Sequence, residues 1–398
     1  MIGIEAAATF LIAGIASLFM AWAIGAGSSG STPFAPAVGA NAISVLRAGL
    51  VVGVLGFLGA VLQGANVTEA VGTELIGGVT LTATAAIVAL VVAATLVAVG
   101  VFSGYPIATA FTVTGAVVGV GLALGGDPAW AKYAEILALW ILTPFVGGGV
   151  AYGTVKLLDA KWLDERRVTA ALAGVVGAVL ANVGFAVLGP AGEDGSIAET
   201  LAASVSLPSA AGIDLGVPAA TLGVALLAAG LLGADLRRDF VGGQRRFLLV
   251  MGGLVAFSAG GSQVGLAIGP LVPLFDGSGV PLWALLFGGG FGLLLGSWTG
   301  APRMIKAIAQ DYASMGPRRS IAALIPSFAI AQTAVAFGIP VSFNEIIVSA
   351  IVGAGYAAGQ AGVSRRKMGY TVLAWVGSLA LALALGFGIF SVAELIFA

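Results

Sequence analysis

Apolar residues run along this chain in twelve long stretches, at roughly 4–24, 48–63, 77–101, 104–121, 131–155, 168–189, 217–234, 247–274, 283–298, 320–336, 340–357 and 370–396. Most reach the ~20 residues that an α-helix needs to cross a bilayer core. They do not alternate polar with apolar residues, as the strands of an outer-membrane barrel would. The pattern predicts an all-α polytopic helical membrane protein of about 12 spans. Two stretches interrupt it. Gly25–Gly39 reads GAGSSGSTPFAPAVG, and Ala259–Leu271 reads AGGSQVGLAIGPL. At an offset of 234 residues Gly27 falls on Gly261, Ser28 on Ser262 and Pro36 on Pro270. Broken or re-entrant apolar helices at corresponding positions of two halves point to a transporter's binding site.

Composition agrees with the pattern. Of 398 residues, 59% are hydrophobic and 9% charged, against about 25% charged in a soluble domain; mean hydropathy is +1.08. The start, MIGIEAAATFLIAG, lacks a positive n-region and a clear cleavage site, so no removed signal peptide is expected. There is no Cys and no His, which excludes disulfides, thiolate chemistry, His-ligated metals and His general bases. A net charge of −1 carries no message about nucleic acid, and no nucleic-acid partner is expected. No phosphate-cradling G-x-x-x-x-G-K-[ST] occurs, so the chain itself has no ATP-driven mechanism. No enzyme is expected; an anion channel and a non-transporting membrane sensor are the competing classes.

The basic residues set the orientation. Lys156, Lys161, Arg166 and Arg167, then Arg237, Arg238, Arg245 and Arg246, make two loops cytoplasmic by the positive-inside rule. The segment between them carries Glu193, Asp194, Glu199 and Asp214 with no basic residue, so it is placed outside. Counting crossings puts both termini outside, and all Lys and Arg inside except Lys132. The halves then enter the membrane from opposite sides. The predicted organisation is an inverted repeat at 1–155, a two-helix connector at 156–244 and a second inverted repeat at 245–398 of a multi-pass protein of the cell membrane. Further pairs sit at the same offset: Gly104-Tyr-Pro-Ile with Gly338-Ile-Pro-Val, Ala116 with Ala350, Gly119 with Gly353. Glu69 and Glu74 follow GAN, whereas Arg303 and Lys306 follow GAP: the charge changes sign with the side.

Glycine and serine at a break leave backbone groups free at membrane depth, tolerated only where they line a cavity or bind something. The candidate anion ligands are Gly27, Ser28, Ser29 and Ser31, with Gly261, Ser262 and Gln263 from the other half. The alternative use of such residues is close helix packing. Gly104–Phe111 (GYPIATAF) and Gly338–Glu345 (GIPVSFNE) read as re-entrant turns, with the proline in a helix's first turn. Thr109, Ser342 and Asn344 would then sit near the positive end of a helix dipole; the alternative is two simple proline kinks. Glu345, between Phe343 and Ile346, is the candidate coupling residue, since an intramembrane acid is a functional hypothesis by default. Its alternative place is a wet outer mouth. Asn66 joins it because it follows Gly-Ala in a repeated block.

These blocks resemble the inorganic phosphate transporter family and its sulfate-permease relatives. That family carries in each half a motif like G-A-N-D-V-A-N-A, a G-x-x-V-x-E-like block, and G-[ILV]-P-[VI]-S-[ST]-[ST]. The matching segments here are Gly25–Ser28, Gly64–Glu69, Gly104–Ile107, Phe257–Val264, Ala267–Leu271 and Gly338–Ser342. The resemblance implies a secondary transporter of tetrahedral oxyanions, phosphate first and sulfate as the alternative, working by alternating access in the lipid bilayer. No cofactor is implied, and the coupling ion is left as Na+ (through carbonyls at the breaks) or H+ (through Glu345). An assembly of two copies stands among the expected partners. Where the family has Asn-Asp, this chain has Gly27-Ser28 and Ser262-Gln263. Both signature aspartates are gone, and sodium coupling through them does not carry over. A site of Ser, Thr, Gln and backbone N–H groups alone would only donate hydrogen bonds. That suits fully ionised sulfate at least as well as phosphate, which keeps a proton to give.

Overall fold

Proline decides where the first of the two interrupted helices stops. Its ring clashes with the carbonyl four residues back and removes a hydrogen bond. Helix α1 (Ile4–Gly27) ends ahead of Pro33. Residues 28–34 turn, and the one-turn helix α2 (Ala35–Gly39) follows with Pro36 in its first turn. The computed structural model describes residues 4–189, 194–204, 215–275, 279–357, 359 and 363–397; Glu193 and Asp214 lie outside them.

The rest of the first half is α3 (Val45–Gln63), α4 (Ala65–Thr73), α5 (Ala83–Ser103), α6 (Thr109–Ala123) and α7 (Trp130–Leu158). The connector holds α8 (Glu165–Ala181), α9 (Ile197–Ser204) and α10 (Gly216–Arg238). The second half holds α11 (Phe240–Ile268), a 3-10 turn at Gly269–Leu271, α12 (Val272–Phe275), α13 (Leu282–Thr299), α14 (Ala301–Asp311), α15 (Pro317–Ala336), α16 (Phe343–Ala357) and α17 (Arg365–Phe397). Two-residue antiparallel pairs tie loops together: β1 (Ile76–Gly77) with β2 (Asp127–Pro128), and β3 (Gly184–Phe185) with β4 (Gly195–Ser196).

Among the described residues nine helices are long and apolar enough to cross a membrane, and the chain is a polytopic helical membrane protein. Leu222, Leu226 and Leu231 of α10, and Leu373 and Val376 of α17, stay exposed, as lipid-facing residues must. The predicted span at 168–189 is shorter than its apolar run: α8 stops at Ala181 and the chain passes into β3. Helices α6 and α16 have 15 residues each, about 22 Å of helix against a core of about 30 Å. They match in length and position, and each follows a left-handed glycine, Gly104 (φ 74°) and Gly338 (φ 60°). That backbone region is open to glycine and strained for other residues. Pro106 and Pro340 do not enter the first helical turn, as the sequence suggested. They lie in the extended segment before it, because the left-handed glycine leaves the chain still reversing when it reaches them.

A second expectation changes. The stretch at 259–271 is not broken at its Gly-Gly-Ser. Helix α11 runs straight through it to Ile268 and yields only at Gly269-Pro270. Its first proline comes late, and its glycines are used for packing. A Cβ on Gly260 would fall 1.8 Å from the Gly56 carbonyl oxygen, and one on Gly59 1.8 Å from that of Phe257.

Packing is reciprocal between halves. Helix α1 lies on α13 as α11 lies on α3; α6 lies on α17 as α16 lies on α7. Within halves, α1 packs on α5 as α11 packs on α15, and α5–α6 is matched by α15–α16. Each half's outer helices embrace the other half's core. Gly260→Val should therefore force α3 and α11 apart and cost about 1–3 kcal/mol, read as a lowered Tm in detergent. Gly149→Ala, where a Cβ meets nothing within 4 Å, should leave Tm unchanged or higher.

Candidate functional site

The three non-helical stretches at 28–34, 105–108 and 339–342 meet at the centre of the chain, and side chains sew them together. Asn344, second residue of α16, donates both amide hydrogens across the halves, to the carbonyl oxygens of Gly27 (2.9 Å) and Ile107 (2.6 Å). Gln263 donates to the Val341 carbonyl (2.5 Å). Its Oε1 accepts from the hydroxyls of Ser28 (3.1 Å) and Thr109 (2.7 Å), which lie 3.4 Å apart. The hydroxyls of Ser31 and Thr32 fold back onto the Ser28 carbonyl. Two indoles complete the knot in matched fashion: Trp140 Nε1 donates to Pro340 O and Trp375 Nε1 to Pro106 O, both at 2.8 Å.

The starts of α6 and α16 thus come together at this knot. In each, the first-turn N–H groups have no intrahelical acceptor and carry the positive end of the helix dipole. The first closed turns are Thr112 N–H to Ala108 O and Ile346 N–H to Ser342 O. Around them Ser28, Thr109, Ser262, Gln263, Ser342 and Asn344 are all buried. Three of these polar groups are left without a hydrogen-bond partner: Ser262 Oγ, Ser342 Oγ and Asn344 Oδ1. Unpartnered polar atoms are uncommon in a folded interior. The two hydroxyls can donate to an acceptor, whereas Asn344 Oδ1 can only accept and calls for a partner that brings a hydrogen.

Not every residue singled out in the sequence joins this knot as a donor. Ser29 is buried, with its backbone N–H on the Ile24 carbonyl. A Cβ on Gly27 would meet Val101 at 2.8 Å, and one on Gly261 would meet Gln63 at 2.8 Å, so both glycines also serve helix contact. Because α11 is unbroken, residues 261–263 bring side chains and no free backbone N–H. Asn66 lies apart. Its amide reaches Val335 O at 3.4 Å and lines a cavity of about 610 Å³ with Asn182, Asp194, Thr221 and Gln332. Glu345 is 3% exposed with Oε2 unpartnered, which removes the wet-mouth alternative.

The profile of the phosphate transporter family matches residues 24–386. The chain belongs to the phosphate transporter family. Family relatives include a Thermococcus kodakarensis protein provisionally named a phosphate permease, 26% identical over 385 residues and spanning 92% of this chain and 93% of that one. The chloroplastic inorganic phosphate transporter 2-1 of Arabidopsis thaliana is 27% identical over 401 residues, spanning 90% of this chain and 68% of its own. A solved structure described as the sodium-dependent phosphate transporter superposes with a TM-score of 0.80 at 22% identity, over 98% of this chain and all of that one. The transporter-family fold is therefore this chain's fold.

Sequence reading passed over Trp140, Trp375 and Gln63 and the contacts of Lys367, and read Gln332 as an ordinary interhelical hydrogen bond. Trp140 and Trp375 are 235 residues apart, one off the repeat offset, and that near-match was the signal. Gln63 and Gln332 pair their amides at 3.3 Å across the halves, and Gln332 also donates to Ser258 Oγ at 2.6 Å. Lys367 sits over the first re-entrant turn, 3.2 Å from Asp311, 3.3 Å from Gly104 O and 4.1 Å from the Tyr105 ring centre. Nothing in the spacing of Gln63, Gln332 and Lys367 predicts these contacts. Leaving a buried carbonyl unpaired costs about 1–3 kcal/mol. Trp140→Phe and Trp375→Phe should each lower stability by about that amount in thermal denaturation, and by similar amounts, since their bonds are matched.

Proposed function

We propose that this protein is a secondary transporter that carries inorganic phosphate across the membrane by alternating access, the anion held between the starts of α6 and α16. The observation that carries this reading is the convergence of those two helix starts, locked together by Asn344, beside the unpartnered hydroxyls of Ser262 and Ser342. Helix N-termini supply fixed positive ends and N–H groups to an anion. The names of the relatives are in keeping with it.

The two halves, 1–155 and 245–398, act in this proposal as inverted copies joined by the connector 156–244. Reciprocal packing of α1 on α13 with α11 on α3, and of α6 on α17 with α16 on α7, supports such a relation and gives two equivalent seams for rocking. A channel would need no such matched seams.

Phosphate is favoured over sulfate by one atom. Both Nδ2 hydrogens of Asn344 are committed to carbonyls, so its Oδ1 is fixed as an acceptor, buried and unpaired. The site is therefore not made of donors alone, which was the premise that favoured sulfate. Hydrogen phosphate brings an O–H to such an acceptor; sulfate at neutral pH brings a lone pair against a lone pair. An unsatisfied buried acceptor costs about 1–3 kcal/mol, and 1.4 kcal/mol is tenfold in affinity. In liposomes holding the purified protein, labelled phosphate should exchange saturably with phosphate on the far side. Unlabelled sulfate should compete about tenfold or more weakly than unlabelled phosphate. Equal competition would overturn the assignment of Asn344, and flux without trans-stimulation would favour a channel.

A further inference from the structure

We propose that the cavity of about 610 Å³ beside the connector is the vestibule through which the anion enters from the outer face. A single pair of amides, Gln63 and Gln332, is the door between that vestibule and the anion site. The proposal rests on the transporter reading above and adds its route of entry.

The first observation is the lining. The cavity lies where α4 and α15, from opposite halves, meet α8 and α10 of the connector. Its walls carry Asn66, Asn182, Asp194, Thr221, Gln332 and Thr333. Polar groups at membrane depth belong beside protein or water, not beside lipid. Gly184 and Asp194 come to the cavity from the acidic segment between the two basic loops, which places its mouth outside. Ala336 and Phe337, which lead into the turn at Gly338, border it too. The cavity thus runs alongside the outer re-entrant turn.

The second observation is how little separates this cavity from the site. Gln332 lines it and pairs amides with Gln63, at 3.3 and 3.5 Å. Gln63 in turn lies on Gly261, where an added Cβ would fall 2.8 Å from the Gln63 Cβ. The next residue is Ser262, with its hydroxyl unpartnered. Gln332 also donates to Ser258 at 2.6 Å, one helical turn before Ser262 on the same face of α11. One layer of two buried side chains therefore stands between the cavity and a candidate ligand of the anion. Their bonds to each other are long, against an ordinary value of about 2.9–3.0 Å. Neither carries a charge that must be neutralised when they part, and each then has N–H groups to offer a passing anion.

The third observation is that the other face is closed differently. At the offset of 234 residues Gln63 corresponds to Ser297 and Gln332 to Ala98. Ser297 turns its hydroxyl back to the Leu293 carbonyl of its own helix, at 2.8 Å, and Ala98 has no polar group to offer. Beside Ala98 on α5, Val97 and Val101 cover Gly27: an added Cβ there would meet them at 3.5 and 2.8 Å. An apolar seal gives an anion no ligand. In this arrangement the polar way out of the site leads to the outer face.

The chain has no cysteine, so one introduced thiol can be read by itself. Ala329 lines the cavity about one turn before Gln332. Ala329→Cys should react with an impermeant anionic methanethiosulfonate in intact cells and not in inverted membrane vesicles. Purified and reconstituted in liposomes, the labelled protein should exchange labelled phosphate at least tenfold more slowly than the same variant unlabelled. Gln332→Leu should lower the maximal exchange rate fivefold or more while KM for phosphate stays within twofold, because the site's own ligands are untouched. Asp194→Asn removes the one charge that lines the cavity among the described residues, and should lower KM about twofold. No reaction from outside, as in a lipid-filled groove, overturns the proposal. So does reaction from the cytoplasmic face, or labelling that leaves exchange unchanged. If Gln332→Leu fails to reconstitute, Asp194→Asn takes its place, and an unchanged KM there overturns the proposal. Wild type that exchanges neither phosphate nor sulfate overturns the transporter reading itself.

Discussion

A backbone carbonyl that leaves its helix inside a membrane must find a donor within the protein, because no water is there to supply one. Three breaks close together create that demand in this chain, and most of the donors cross from the other half. Trp140 reaches Pro340, Trp375 reaches Pro106, and Asn344 reaches both Gly27 and Ile107. The breaks could not exist in either half alone. The reciprocal helix packing, the burial of the polar knot and the meeting of two helix starts all depend on this exchange of donors.

Much of the fold was legible in the sequence. Apolar run lengths gave the helices, and the offset of 234 gave Gly104 with Gly338 and Pro106 with Pro340 as matched turns. The second break was misread because Gly-Gly-Ser looks like an interruption. A membrane helix can carry those residues where they buy contact, and Gly260 does so against the Gly56 carbonyl. Eight of the ten candidate ligands, Gly27, Ser28, Ser31, Thr109, Ser262, Gln263, Ser342 and Asn344, come to the knot or border it. What stayed hidden was the partner of each. Whether Gln263 faces an anion or two hydroxyls depends on how α11 is rotated against α1 and α6, and rotation is set by packing that spacing does not encode. The same holds for Glu345: Phe343 and Ile346 beside it announce an apolar helix but not which polar atoms share its face.

The loss of the family's aspartates also reads differently once the knot is visible. Ser28 and Gln263 do not leave an empty socket. They close on each other and on Thr109, a neutral link where two acids would repel unless a cation stood between them. The replacement is chemically coherent: the three side chains satisfy one another without a charge among them.

Lys367 makes the two matched turns respond differently to their surroundings. It fastens the turn at Gly104 by charge, through Asp311 and the Tyr105 ring, with its own side chain 17% exposed. The matched turn at Gly338 rests on neutral contacts, the Asn66 backbone among them. Dissolved ions weaken a partly exposed ion pair and leave neutral packing untouched. The two matched turns are therefore held unequally: ionic strength acts on the contacts of one and leaves those of the other unchanged.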